Sequence, residues 1–191
     1  MHGLRAKNPI VEKRTALLKT PYLPYLCTMA VYSEKEILSF LEEIPDPEIP
    51  VISIVELGVI RKIKSSDKGV EIEITPTYSG CPAMKQMEDD VKSTLKAKGI
   101  ENIEIKMVYS PSWTTDWLSI QAKEKLREYG IAPPNETTTD KSFLTGKSKQ
   151  VKCPRCHSLN TEMVSQFGST ACKALYKCKD CLEPFDYFKC I

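Results

Sequence analysis

Two short cysteine pairs constrain this chain more than any other feature. Cys153-Pro-Arg-Cys156 is followed by Cys178-Lys-Asp-Cys181, with 21 residues between the pairs. Two tight turns of this kind, brought together by a hairpin, offer four thiolates in a tetrahedron. That arrangement suits Zn²⁺, and the bound metal supplies folding energy that so small a module lacks. A zinc ribbon over residues 151–191 follows from this spacing. Four thiolates leave no open position for a catalytic water, so the expected role of the metal is structural. A rubredoxin-like iron or an iron-sulfur cluster accepts the same four ligands, and spacing alone does not separate them. His157 reads as a structural neighbour rather than a fifth ligand.

The remaining cysteines are Cys27, Cys81, Cys172 and Cys190, so six of the eight fall in the last 39 residues. A secreted disulfide framework spreads its cysteines more evenly. The basic opening stretch is broken by Lys19, Pro21 and Pro24 before any small-residue cleavage site, and no apolar run approaches membrane-spanning length. A cytoplasmic protein without membrane contact is expected. Cys172 and Cys190 read by default as buried thiols, with pairing or soft metal ligation as alternatives.

Charge divides the chain in three: residues 1–28 carry +4, residues 29–140 carry −7 and residues 141–191 carry +5. The net of +2 is far from that of a protein that coats nucleic acid along its length. Lys and Arg in the last segment are sparse and interleaved with acids, which ranks nucleic acid low as a partner.

Periodicity organises the middle. Ser33 and Glu36 make a capping box ahead of Ile37, Leu38, Leu41 and Ile44, which predicts a first helix. Pro45, Pro47 and Pro50 stop it and restrain the loop Asp46 to Pro50. Alternation over 59–64 and 70–75 predicts a hairpin turning at 65–69. Ala83, Met87, Val91 and Leu95 predict a second helix with Pro82 at its start and Gly99 at its end. A strand over Ile103 to Tyr109 follows, and then a helix with Leu118, Ala122, Leu126 and Tyr129 on one face, ended by Gly130. The order predicts an α+β fold, a small mixed sheet covered by helices, ahead of the ribbon. Residues 1–30 read as a flexible basic extension, 31–130 as the α+β domain and 131–150 as a linker.

Cys81 is the sharpest single residue. Just before Pro82 at a helix start, its sulfur sits where the helix dipole and unbonded N–H groups favour a thiolate. Metal binding or nucleophilic attack follows from that setting; a small residue that packs the turn is the equal alternative. Asp46, Glu48, Glu56 and Asp116 lie on loops or first turns, where carboxylates are usually solvated or capping. If the loops converge on Cys81, they make a thiolate and carboxylate pocket walled by Tyr78, Trp113 and Trp117. No triad spacing, phosphate loop or histidine cluster points to an autonomous reaction.

Three stretches carry a resemblance: Asp46-Pro-Glu-Ile-Pro-Val-Ile-Ser-Ile-Val-Glu-Leu-Gly58, Thr75-Pro-Thr-Tyr-Ser-Gly-Cys81-Pro82 and Trp113-Thr-Thr-Asp-Trp117. Together they resemble the SufT-like metal-sulfur cluster biosynthesis domain. Phe167-Gly-Ser-Thr-Ala-Cys-Lys-Ala-Leu-Tyr-Lys-Cys178 and Glu183-Pro-Phe-Asp-Tyr-Phe-Lys-Cys190, with the cysteine pairs, are similar to the PaaD family of the bacterial phenylacetyl-CoA epoxidase system. The resemblance covers residues 33–191. It implies that Cys81 is the cysteine that matters for iron or cluster transfer, with Asp46, Glu48, Thr77 and Asp116 at motif positions around it. It also implies that Cys172 and Cys190 belong to the subfamily motif.

In that family the ring epoxidation resides in a di-iron oxygenase served by a separate reductase. The PaaD component is an accessory one without turnover of its own, which helps mature or deliver an iron-sulfur or iron centre. The expected partners are therefore oxygenase or reductase components of the epoxidase; a homodimer is left open. Two alternatives stand beside this reading: an iron-binding redox component of the oxygenase system, and a zinc ribbon adaptor for protein or nucleic acid.

Overall fold

A computed structural model describes residues 32–134 and 150–189. Cys27, Cys190, the segment read as an extension and most of the segment read as a linker lie outside the described residues.

Helix α1, Glu34–Leu41, starts where the capping box requires: Ser33 Oγ accepts from Glu36 N, and Glu36 Oε2 accepts from Ser33 N at 2.8 Å. Ile37 and Leu41 are fully buried. The proline-rich loop returns on itself, with Pro45 bridged to Ser53 and Asp46 N donating to Ile52 O at 2.9 Å. Strands β1, Ile60–Ser66, and β2, Gly69–Ile74, form the expected antiparallel hairpin, although β1 runs two residues further than the alternation suggested. Gly69 makes the short turn workable. Its φ is +138°, and a Cβ there would lie 2.4 Å from Asn102 O.

Helix α2, Ala83–Ala97, buries Ala83, Met84, Met87, Val91 and Leu95 on one stripe. It leads to β3, Ile103–Met107, which lies parallel to β2, so the first sheet is three-stranded, mixed and ordered β1-β2-β3.

The next helix begins later than periodicity implied. A 3₁₀ turn occupies Thr115–Trp117, Leu118 is extended, and α3 spans Ile120–Tyr129. Ser119 explains this, because its side chain accepts from Ala122 N at 2.9 Å and caps α3 there. Tyr129 consequently faces solvent while Leu118 is buried.

Directly after Gly130, strand β4, Ile131–Ala132, pairs in parallel with β7, Pro184–Phe188. Those two residues belong to the second sheet rather than to a connection. A two-residue strand has no periodicity of its own and is fixed by a partner more than fifty residues away. With β5, Thr161–Ser165, and β6, Lys173–Cys178, the second sheet is ordered β4-β7-β6-β5.

Two buried clusters result, but the division is not clean. Ala132, Val151, Tyr176, Phe185 and Tyr187 make the ribbon core. Cys172 and Phe188, from the opposite end of the same hairpin, are part of the larger core with α1, α2 and the first sheet. Phe188 meets Trp113 edge to face, with ring centroids 6.0 Å apart.

Candidate functional site

The structure holds two cysteine-bearing sites, one at each end of strand β6. At one end, the sulfurs of Cys153, Cys156, Cys178 and Cys181 all lie within 4.8 Å of one another. Cys153 and Cys181 are 3.8 Å apart, and Cys156 and Cys178 are 3.5 Å apart. Sulfurs at the zinc-thiolate bond length stand about 3.8 Å apart in a tetrahedron, so donor set and spacing both fit Zn²⁺.

Backbone makes the two turns alike. The residue after each pair, His157 and Leu182, has φ of +64°. This reversal brings N–H groups of Ser158 and Glu183 toward the sulfurs of Cys156 and Cys181. The N–H groups of Cys181 and Asp180 likewise lower the Cys178 thiol to about 7. Asp180 ties the turns together, accepting from Ser158 Oγ and from Asn160 Nδ2 at 2.7 Å. His157 occupies the left-handed backbone position and is exposed.

At the other end of β6 is a small pocket lined by Asp46, Glu48, Ile49, Leu57, Val59, Thr77, Cys81, Met84, Met87, Cys172 and Phe188. Asp46 is the part of the loop that sets the geometry. Only 4% exposed, it accepts from the N–H groups of Glu48 at 2.9 Å and Ile49 at 2.7 Å. Burial raises its carboxyl above the usual value, and those two bonds partly offset the rise.

Glu48 reaches the ribbon. Its Oε2 accepts from Cys172 Sγ at 3.3 Å, and Thr170 Oγ1 lies 3.0 Å from the same sulfur. Burial, with Glu48 beside it, pushes the Cys172 thiol up to about 12. Lys173 follows Cys172, is itself buried, and sits 3.9 Å from Asp186.

Cys81 is half-buried just before α2. The N–H of Ala83 and the Tyr78 hydroxyl do favour its thiolate, as a helix start should. Burial outweighs them, Glu48 and Asp46 add repulsion, and the thiol is raised. The resting group is therefore a thiol rather than the thiolate that the local sequence suggested. Tyr78, between these groups, is pushed up to about 12 by burial and by the neighbouring cysteines and Glu48.

The expected residues divide accordingly. Asp46, Glu48, Thr77 and Cys81 come together, and Cys172 joins them. Asp116 is exposed in the 3₁₀ turn and does not line the pocket. Glu56 turns away, accepting from Ser53 N at 3.0 Å and pairing with Lys125 at 2.7 Å. Trp113 donates to Leu57 O at 2.9 Å and backs the pocket through Phe188. Trp117 stacks under Arg61, 3.4 Å from its ring centroid. Gly58 lets it approach, since φ is +78° and a Cβ would meet Trp117 Cβ at 2.9 Å. Sequence reasoning missed Phe188 and Lys173, which carry no local signal beyond their place in the terminal motif. Among the described residues, no helix is long and apolar enough to cross a membrane.

Comparison with known proteins accounts for both units. Residues 34–107 match the iron-sulfur cluster assembly protein family, and residues 137–189 match the PaaD zinc beta ribbon domain. The D component of the 1,2-phenylacetyl-CoA epoxidase of Escherichia coli K12 is 46% identical over 166 residues, covering 87% of this chain and 98% of that protein. The Fe-S protein maturation auxiliary factor SufT of Staphylococcus aureus is 41% identical over 80 residues, covering 41% of this chain and 90% of that factor. A crystal structure of a domain of unknown function, DUF59, from Bacillus anthracis is 31% identical with a TM-score of 0.46, covering 49% of this chain and 90% of that one. An assembly-type domain and a PaaD ribbon thus occur in one chain that matches a single relative almost end to end, and the chain belongs to the PaaD family of phenylacetyl-CoA epoxidase components.

Proposed function

We propose that this protein is an accessory subunit of a phenylacetyl-CoA epoxidase system, and that it assembles or delivers an iron-sulfur or iron centre to an oxygenase or reductase component. Cys81 is the residue that takes the cargo. The observation that carries this reading is the convergence of Asp46, Glu48 and Thr77 on Cys81 in one pocket at the start of α2. The names of its relatives point the same way, one an epoxidase component and another a maturation factor.

The raised thiol gives the site the temper of a temporary holder. A metal must displace a proton to bind sulfur, and the higher the thiol stands, the more strongly protons compete. At neutral pH this weakens retention and favours release to a client with stronger ligands. The four-cysteine site has the opposite character: closed, with its sulfurs preset by backbone N–H groups, it holds zinc and shapes the ribbon.

The test is reconstitution of epoxidase activity from its separate components with wild-type protein or Cys81→Ser. Loss of metal-dependent maturation in the variant, with its zinc content unchanged, is expected. Full maturation by Cys81→Ser would sink the mechanism.

A further inference from the structure

We propose that Cys81 of the α+β unit and Cys172 of the ribbon, with the Glu48 carboxylate, form one bipartite site for a thiophilic divalent cation. This rests on the cargo-holding reading above and deepens it by assigning half of the site to the ribbon.

The separation of Glu48 and Cys172 is the first support. Oε2 and Sγ are 3.3 Å apart, in a pocket that also contains Cys81. One tetrahedral ion bound to a thiolate and a carboxylate holds those two atoms about 3.6 Å apart, so the pair needs only a small adjustment. Burial of Cys172 is the second. It is 5% exposed and, rather than packing only among apolar groups, has its sulfur on a carboxylate and a hydroxyl. An inert buried thiol has no need of that polar company. The third is the Tyr78 hydroxyl, which bonds the Cys81 sulfur and feels Glu48 and Cys172 as well, so the two sulfurs share one electrostatic neighbourhood.

Membership of the two halves matters. The match to the assembly family ends at residue 107, whereas Cys172 lies within the match to the ribbon. A lone assembly domain would offer one thiol here; the ribbon contributes a second. When the cation binds, two S–H bonds break and two S–metal bonds form. Both protons leave to solvent and no electron moves. The remaining coordination position stays open to a ligand from the client.

The experiment is an anaerobic Co²⁺ titration of full-length protein already loaded with zinc, following thiolate-to-cobalt charge transfer in the near ultraviolet and zinc content in parallel. One Co²⁺ per chain without loss of zinc is expected. Cys81→Ser and Cys172→Ser should each weaken that binding by at least about tenfold. Glu48→Gln, which preserves volume, should weaken it as well, so the outcome does not depend on whether a cysteine variant packs correctly. Unchanged affinity in Cys172→Ser or in Glu48→Gln would overturn the bipartite site. If Cys172→Ser bound cobalt normally and only Cys81→Ser lost both cobalt binding and epoxidase maturation, the cargo role of Cys81 would stand without the ribbon. If Cys81→Ser matured the epoxidase fully, the underlying reading would fail independently of the titration.

Discussion

The two ends of strand β6 use the same element in opposite ways. At the Cys178 end, four sulfurs sit within 4.8 Å and backbone N–H groups draw the Cys178 thiol down to about 7. At the Cys172 end, burial and a carboxylate push a thiol up to about 12. The first environment is prepared for a permanent dication; the second keeps its sulfurs neutral until something charged arrives. Cysteine chemistry here is decided by surroundings rather than by residue type.

The largest way to break this contrast is to remove the metal quartet. Cys178→Ser should lose stoichiometric zinc and with it folding energy on the order of 10 kcal/mol linked to the metal. Hydrogen exchange over β5 to β7 checks this; amides as protected as in wild type would mean that the ribbon folds without its metal. Next in size is the hinge between the two ends. Phe188→Ala removes a fully buried ring from the larger core and should cost about 3–5 kcal/mol, read by denaturant unfolding. Zinc content should stay at one per chain, since Phe188 lies at the far end from the quartet.

Smaller effects sharpen the other side. Cys81→Ser replaces a half-buried thiol and should shift stability by less than about 1 kcal/mol while maturation is lost, which separates function from packing. A shift of several kcal/mol would return Cys81 to a packing role.

Smallest is the pH response of Asp46. Its carboxyl is raised in the folded state, so its favourable contribution is complete below the unfolded value near 3.8 and is lost as pH rises through the folded value. Asp46→Asn keeps an acceptor for the Glu48 and Ile49 N–H groups but cannot ionise. The variant should gain stability relative to wild type as pH climbs above about 4, measured by unfolding across that range. A constant difference at all pH values would mean that Asp46 does not titrate there.

How much of this was readable in the sequence depends on the distance over which each feature acts. The quartet is legible because each half is a four-residue turn and two matching halves announce the ligand set. The α1 cap, the hairpin and the α2 stripe are legible for the same reason, since each repeats a local period. Cys172 and Glu48 are 124 residues apart, and no spacing rule joins them. Their partnership surfaced only as membership in a terminal motif, without a statement of what Cys172 touches. Cys81 shows a different limit: the helix start was correctly located, but its effect on the thiol is reversed by burial that a linear reading cannot see. The short strand β4 escaped because its pairing is wholly non-local.

Strand β6 also sets a length. From Cys172 to Cys178 the chain advances about 20 Å at the usual rise of an extended strand, roughly twice the screening distance at physiological salt. Ligand exchange requires donors that can touch the same ion, and none can bridge that span. The two sites must therefore be filled from different directions, and charge added at one is scarcely felt at the other. The strand works as a spacer that lets one small protein keep a metal and give one away without confusing the two.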